Sequence, residues 1–178
     1  MEGLQRSPQG SAGYARLSSM RVYLDANVLF DSVDSSKTKN LLRRLKNAGH
    51  SLVISLSVLG EVLLICITED RQDDLIEIRN TCAELKPDYV TPLKQSRICT
   101  LCMDKFDKRG YNLTDKTHIA YTLAHSALSD DSECYFLTTD RYLMEMRLPC
   151  VDPEFRCNLF EGKTLPMIVK EDFIRDRI

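Results

Sequence analysis

Two apolar, β-favouring runs each end in an acid. Val22-Tyr23-Leu24 leads directly into Asp25, and Cys134-Tyr135-Phe136-Leu137 passes through Thr138-Thr139 to Asp140. A third such run, Ser51 to Leu56, lies between them, and the stretches separating the three carry their apolar residues at helical spacing. A chain that alternates β and α segments in this way packs its strands as a parallel sheet between helices. Sheets of that kind collect functional groups in the crevice outside the carboxyl ends of their strands. The expected class is therefore a doubly wound α/β fold, with Asp25 and Asp140 on one rim.

A chain of 178 residues fits one domain with a substantial core. Its 43% hydrophobic and 28% charged residues are inconsistent with a disordered polymer. The net charge of -2 leaves no general attraction to a polyanion, so contact with nucleic acid would need local basic patches or bridging metal ions. The seven cysteines are odd in number and sit mostly in apolar segments, which points to reduced, buried thiols and a cytoplasmic setting. Cys99-x-x-Cys102 lacks a second pair or a His-x3-His to complete a zinc site, and is read as two core thiols. The longest apolar window, Leu52 to Ile67, contains Ser55, Ser57 and Glu61 and is too short to span a bilayer, so no membrane association is expected. Residues 1–19 are rich in Gly, Ser, Gln and Pro and read as a disordered leader or tag-like tail. Residues 20–155 form the expected domain, and 156–178 a C-terminal extension.

After Asp25 the chain is expected to leave the strand through a turn or short helix over Val28 to Asp34. A helix then runs from a Ser35 or Ser36 cap to about Ala48 and is stopped by Gly49. Its outer face carries Lys37, Lys39, Arg43 and Arg44, the most basic cluster of the chain, which is a solvated face or, as the sharper reading, an RNA-backbone contact. Ser57 is placed to cap the next helix. Glu61 then lies one residue too far on for a capping box and is the lone charge of a long apolar stretch. Burial without compensation would be costly for it, so a metal or a basic partner is required. Helices are further expected from the polar break at residues 69–73 to Leu85 and from Lys94 to Arg109. A third is expected after Thr114 as cap, where Asp115, His118, Thr122 and His125 share one polar stripe. Both histidines are assigned to the surface or to packing, with general acid–base catalysis by either as the weaker reading. A last short strand is expected at Cys150 and Val151.

Asp25, Glu61, Asp115 and Asp140 are thus four acids at strand tips and helix starts. Gathered together they would repel one another unless cations were present. Hard oxygen donors in that number suit Mg²⁺ or Mn²⁺, and the chemistry that follows is metal-assisted phosphodiester hydrolysis.

The segments Leu-Asp-Ala-Asn-Val-Leu, Ser-x-Leu-Gly-Glu-Val, Leu-Thr-Asp-x-x-x-Ile-Ala and Leu-Thr-Thr-Asp, in this order and spacing over about Arg21 to Phe155, resemble the PIN domain family of ribonucleases, VapC-like toxin members included. The resemblance implies a Rossmann-like three-layer α/β/α sandwich with a central parallel sheet. It also implies a Mg²⁺ or Mn²⁺ site held by Asp25, Glu61, Asp115 and Asp140, with Asn27 and Thr138 or Thr139 as supporting groups. The implied activity is metal-dependent hydrolysis of RNA, toxin-like or RNA-processing. The implied partners are an RNA substrate, a homodimer mate and, for a toxin, an antitoxin protein. One alternative is a catalytically inactive PIN-like module that binds RNA or serves as a scaffold. A haloacid-dehalogenase-type phosphatase fits less well, because it needs a second Asp where Asn27 stands.

Overall fold

The computed structural model describes residues 19–90, 113–127, 133–145 and 166–178. Within them β1 (Met20–Leu24), β2 (Ser51–Ser55), β3 (Asp88–Val90), β4 (Glu133–Leu137) and β5 (Met167–Val169) form one sheet in the order β3-β2-β1-β4-β5. Every pairing is parallel. Between the strands lie α1 (Ala26–Asp34), α2 (Ser36–Asn47), α3 (Leu56–Thr68), α4 (Gln72–Leu85), α5 (Leu113–Ala127), α6 (Arg141–Glu145) and, last, α7 (Glu171–Arg175).

The sheet is buried on both faces, as parallel sheets require. On one face Val22, Leu24, Leu52, Ile54, Tyr135, Leu137 and Val169 meet Leu29, Leu41, Leu42, Leu45, Ile78 and Leu85 of α1, α2 and α4. Side chains one residue out of phase point the other way: Tyr23, Val53, Cys134 and Phe136 are also buried, as are Ile119, Ala120, Leu123 and Ala124 of α5. Tyr23 ties that face to α5, its hydroxyl lying 2.7 Å from His125 Nδ1. Helix, sheet and helix make the three-layer α/β/α sandwich. Burying each large aliphatic side chain contributes about 1.5–3 kcal/mol. The small Ala120 and Ala124 let α5 lie close.

Strand order fixes the position of the functional rim. The chain moves outward from β1 through β2 to β3, then returns to place β4 on the opposite side of β1. The switch point of the sheet therefore lies between β1 and β4, where a crevice opens at the carboxyl ends.

Several expected boundaries shift. The segment after Asp25 is a helix from Ala26 onward, because Asp25 itself caps it: the extended Asp25 accepts the Ala26 N–H at 2.8 Å. Ser55, not Ser57, caps α3; its hydroxyl accepts from Val58 N at 3.3 Å, while Ser57 bonds the Ser55 hydroxyl. Thr114 lies inside α5 rather than at its cap. Helix α4 begins at Gln72, inside the expected polar break, and ends on Lys86 in the left-handed region. Gly49, at φ +83, makes the left-handed turn after α2 as expected. Residues 156–178 are not wholly an extension beyond the domain. Met167–Val169 supply the fifth strand, paired with β4, and Ile174 is in the core. Cys66, Cys82 and Cys134 are buried, as expected of core thiols. The Lys94–Arg109 helix, the Cys99/Cys102 pair and the Cys150–Val151 strand lie outside the described residues. Among the described residues no helix is long and apolar enough to cross a membrane.

Candidate metal centre

Parallel register brings the first pair of site residues together. Tyr23 stands opposite Phe136 and Leu24 opposite Leu137, so the next step sets Asp25 beside Thr138. The Asp25 N–H donates to the Leu137 carbonyl at 3.1 Å, extending the ladder past the end of both strands. The Thr138 hydroxyl donates to Asp25 Oδ2 at 2.6 Å and accepts the Asp140 N–H at 2.9 Å. Asp25 Oδ1 is held by the Ala26 N–H. Asp25 is therefore a buried carboxylate, 2% exposed, oriented through both of its oxygens. Asp140, half-buried, is oriented by the Tyr142 N–H, which donates to Oδ1 at 2.7 Å.

Glu61 reaches His118 from α3, its Oε2 3.4 Å from Nε2, and Asp115 stands in the first turn of α5, which also carries His118. Burial pushes the Glu61 carboxyl above the ordinary carboxylate range; His118 opposes this, while Asp25, Asp115 and Asp140 push further up. Asp115 is raised as well, by burial and then by Asp140, with Asp25 adding and His118 opposing. Mutual influence of this kind places all four expected acids within one electrostatic neighbourhood, although they come from four separate segments.

His118 corrects the sequence reading. Assigned there to the surface or to packing, it lies 1% exposed among the acids, with Nδ1 3.5 Å from Asp25 Oδ1 and Nε2 3.4 Å from Glu61 Oε2. Burial disfavours its charge, yet Asp25, Glu61 and the Ser57 backbone outweigh it and raise its proton affinity. The local signal was its position three residues after Asp115, one turn along the same face. His125 does pack, against Tyr23.

Of the supporting residues, Thr138 is fully buried at the centre of the site, while Thr139 and Asn27 are exposed. The basic cluster is partly neutralised: Arg43 makes a two-pronged bond to Glu84, and Lys39 lies 3.9 Å from Glu77. Lys37 and Arg44 are exposed.

Thr138→Val fills the same volume but leaves Asp25 Oδ2 and the Asp140 N–H without their partner. The expected cost is about 1–3 kcal/mol, read from the urea midpoint at constant m-value, and Thr138→Ser should recover most of it. Equal stability of the valine variant and wild type would contradict the bonding described.

The donor set suits a divalent ion. Asp25, Glu61 and His118 each offer a ligand atom, all within 4.8 Å of one another. The buried imidazole has no ordinary hydrogen-bond partner for either ring nitrogen.

No family model and no curated protein matches the chain. Among solved structures, the fold is similar to a chain in the crystal structure of VapBC2 from Rickettsia felis bound to a DNA fragment from their promoter. The TM-score is 0.56 at 12% identity, covering 85% of this chain and 98% of that one. At that identity the similarity is one of fold.

Proposed function

We propose that the protein is a PIN-type ribonuclease that hydrolyses RNA phosphodiester bonds with Mg²⁺ or Mn²⁺ held by Asp25, Glu61, Asp115 and Asp140. The observation carrying this reading is the meeting of Asp25 and Glu61 with His118 at the β1/β4 switch point, one ligand atom of each within 4.8 Å of the others, beside Glu61 and Asp115 carboxyls that burial and neighbouring acids both push up. The four short motifs and the parallel α/β/α fold support the same assignment. A bound divalent ion supplies a Lewis acid for the phosphoryl oxygens and makes an attacking water more acidic.

The chain's own residues prepare the site. Thr138 and the Ala26 N–H fix the Asp25 carboxylate, which removes a rotational freedom that binding would otherwise have to freeze. Glu61, whose side chain is 28% exposed, and the half-buried Asp115 and Asp140 form the open side of the site, where a phosphate can approach. The exposed Lys37 and Arg44 are candidates for backbone contact in the bound RNA, since Arg43 is already held by Glu84. A toxin-type role would add a cognate antitoxin as partner, and a homodimer belongs to the same reading. The fold neighbour, VapBC2, was solved on promoter DNA.

The test is cleavage of single-stranded RNA by the full chain. Cleavage should require Mn²⁺ or Mg²⁺, stop on addition of chelator, and be absent from Asp25→Asn. Asn keeps the helix cap but removes the charge. Equal RNA loss with wild type and variant would remove the enzymatic reading and leave a non-catalytic module.

A further inference from the structure

The three histidines of the chain are not alike. His50 Nδ1 accepts the Met20 N–H at 3.2 Å, and His125 Nδ1 is bonded to the Tyr23 hydroxyl at 2.7 Å. Packing histidines in this fold thus have partners, as buried polar groups generally must. His118 is at least as buried and has none of ordinary geometry for either nitrogen. Its neighbours are instead carboxylate oxygens at 3.4 and 3.5 Å, against about 2.7–2.9 Å for a charge-assisted hydrogen bond. Donors that share one ion at about 2.1 Å stand roughly 3.0–3.4 Å apart in tetrahedral or octahedral sets, close to each imidazole-to-carboxylate distance here. With one ligand atom taken from each residue, Asp25, Glu61 and His118 all lie within 4.8 Å of one another.

Resting on the metal-dependent reading above, we propose that His118 is itself a metal ligand, so that the ion is held by an imidazole nitrogen as well as by carboxylates and the site selects Mn²⁺ over Mg²⁺. Position on the helix supports this. His118 follows Asp115 by one turn of α5, so one helix face presents a carboxylate and an imidazole together. The Thr122 hydroxyl donates to the His118 carbonyl at 2.9 Å on the next turn of the same face. Whichever ring nitrogen ligates, the other faces a carboxylate oxygen, the arrangement that orients a ligating imidazole. Nitrogen donors favour transition metals, whereas Mg²⁺ holds to oxygen and water.

The experiment uses the full chain, stripped of metal and loaded with one equivalent of Mn²⁺, and reads nuclear couplings to the bound ion by pulsed electron paramagnetic resonance. Wild type should show a ¹⁴N coupling that becomes a ¹⁵N coupling when histidine alone is isotopically labelled. His118→Gln should lose it and should also lose at least roughly tenfold in the ratio of Mn²⁺ to Mg²⁺ affinity. Should His118→Gln fail to fold, the labelled wild type together with His50→Gln and His125→Gln, both keeping the coupling, decides the question. Bound Mn²⁺ with no nitrogen coupling, or a coupling that persists in His118→Gln, overturns the ligand assignment and leaves the nuclease reading intact. Failure of wild type to bind Mn²⁺ at all overturns both.

Discussion

Glu61→Gln is expected to have two effects of opposite sign. RNA cleavage should fall by at least about a hundredfold, since loss of a group next to a metal commonly costs 10–100-fold and Glu61 is proposed as a ligand itself. The metal-free variant should nonetheless melt higher than metal-free wild type at neutral pH. The Glu61 carboxyl is raised by burial, with Asp25, Asp115 and Asp140 adding to the effect and His118 opposing it. An acid raised on folding is held more weakly as an anion in the native state than in the unfolded chain, so ionised Glu61 lowers stability. Gln keeps the shape and removes that charge. Thermal melting with and without Mn²⁺ reads both parts: the variant starts higher and gains nothing from the ion. A variant that cleaves like wild type, or that melts well below it without metal, would contradict the role assigned to Glu61.

The second large effect concerns pH. Glu61 and Asp115 are raised mainly by burial. Their contribution is intact while they are protonated and is lost as pH climbs from about 4 through their native values. His118 is also raised, because Asp25 and Glu61 outweigh the opposing effect of burial. Its stabilisation is fully present below about pH 6.5 and disappears as pH rises through its native value. All three groups act in the same direction, so metal-free protein should lose thermal stability steadily from pH 5 to pH 8. Mn²⁺ at a hundred times its dissociation constant adds about 2.7 kcal/mol, a rise of roughly 5–10 °C for a chain this long. At a fixed Mn²⁺ concentration the gain should grow with pH, as protons cease to compete for the ligands. A metal-free melting temperature that is flat or rising over this range would contradict the cluster's electrostatics.

The strand-tip acids were legible in the sequence because an apolar run that stops at an acid is a local pattern. Asp25 and Asp140 required nothing distant to be noticed. Glu61 stood out for the same reason, as one charge in a long apolar stretch, but it is only partly buried, because Leu63, Leu64 and Ile67 of that stretch face outward. His118 was not legible. A histidine on a mostly buried helical stripe reads as packing until Asp25 from β1 and Glu61 from α3 arrive beside it, and that depends on how α5 meets the sheet. The helix after Asp25 was under-read because its cap is the candidate ligand itself, one side chain serving both as N-cap and as site residue. Ser57 was read as the cap because the strand was carried on to Leu56; the ladder instead ends at Ser55, whose hydroxyl takes the cap. Strand β5 is three residues long in a charged segment, too short for its alternation to signal anything. It exists because β4 presents an edge that Met167–Val169 can complete.

The most direct measurement is calorimetric titration of Mn²⁺ into metal-free wild type and metal-free Asp25→Asn, with folding of both checked by circular dichroism. Acids gathered from four segments into one cation site predict saturable binding to wild type that is lost in the variant. Absence of binding to wild type, or equal affinity in the two proteins, would contradict it.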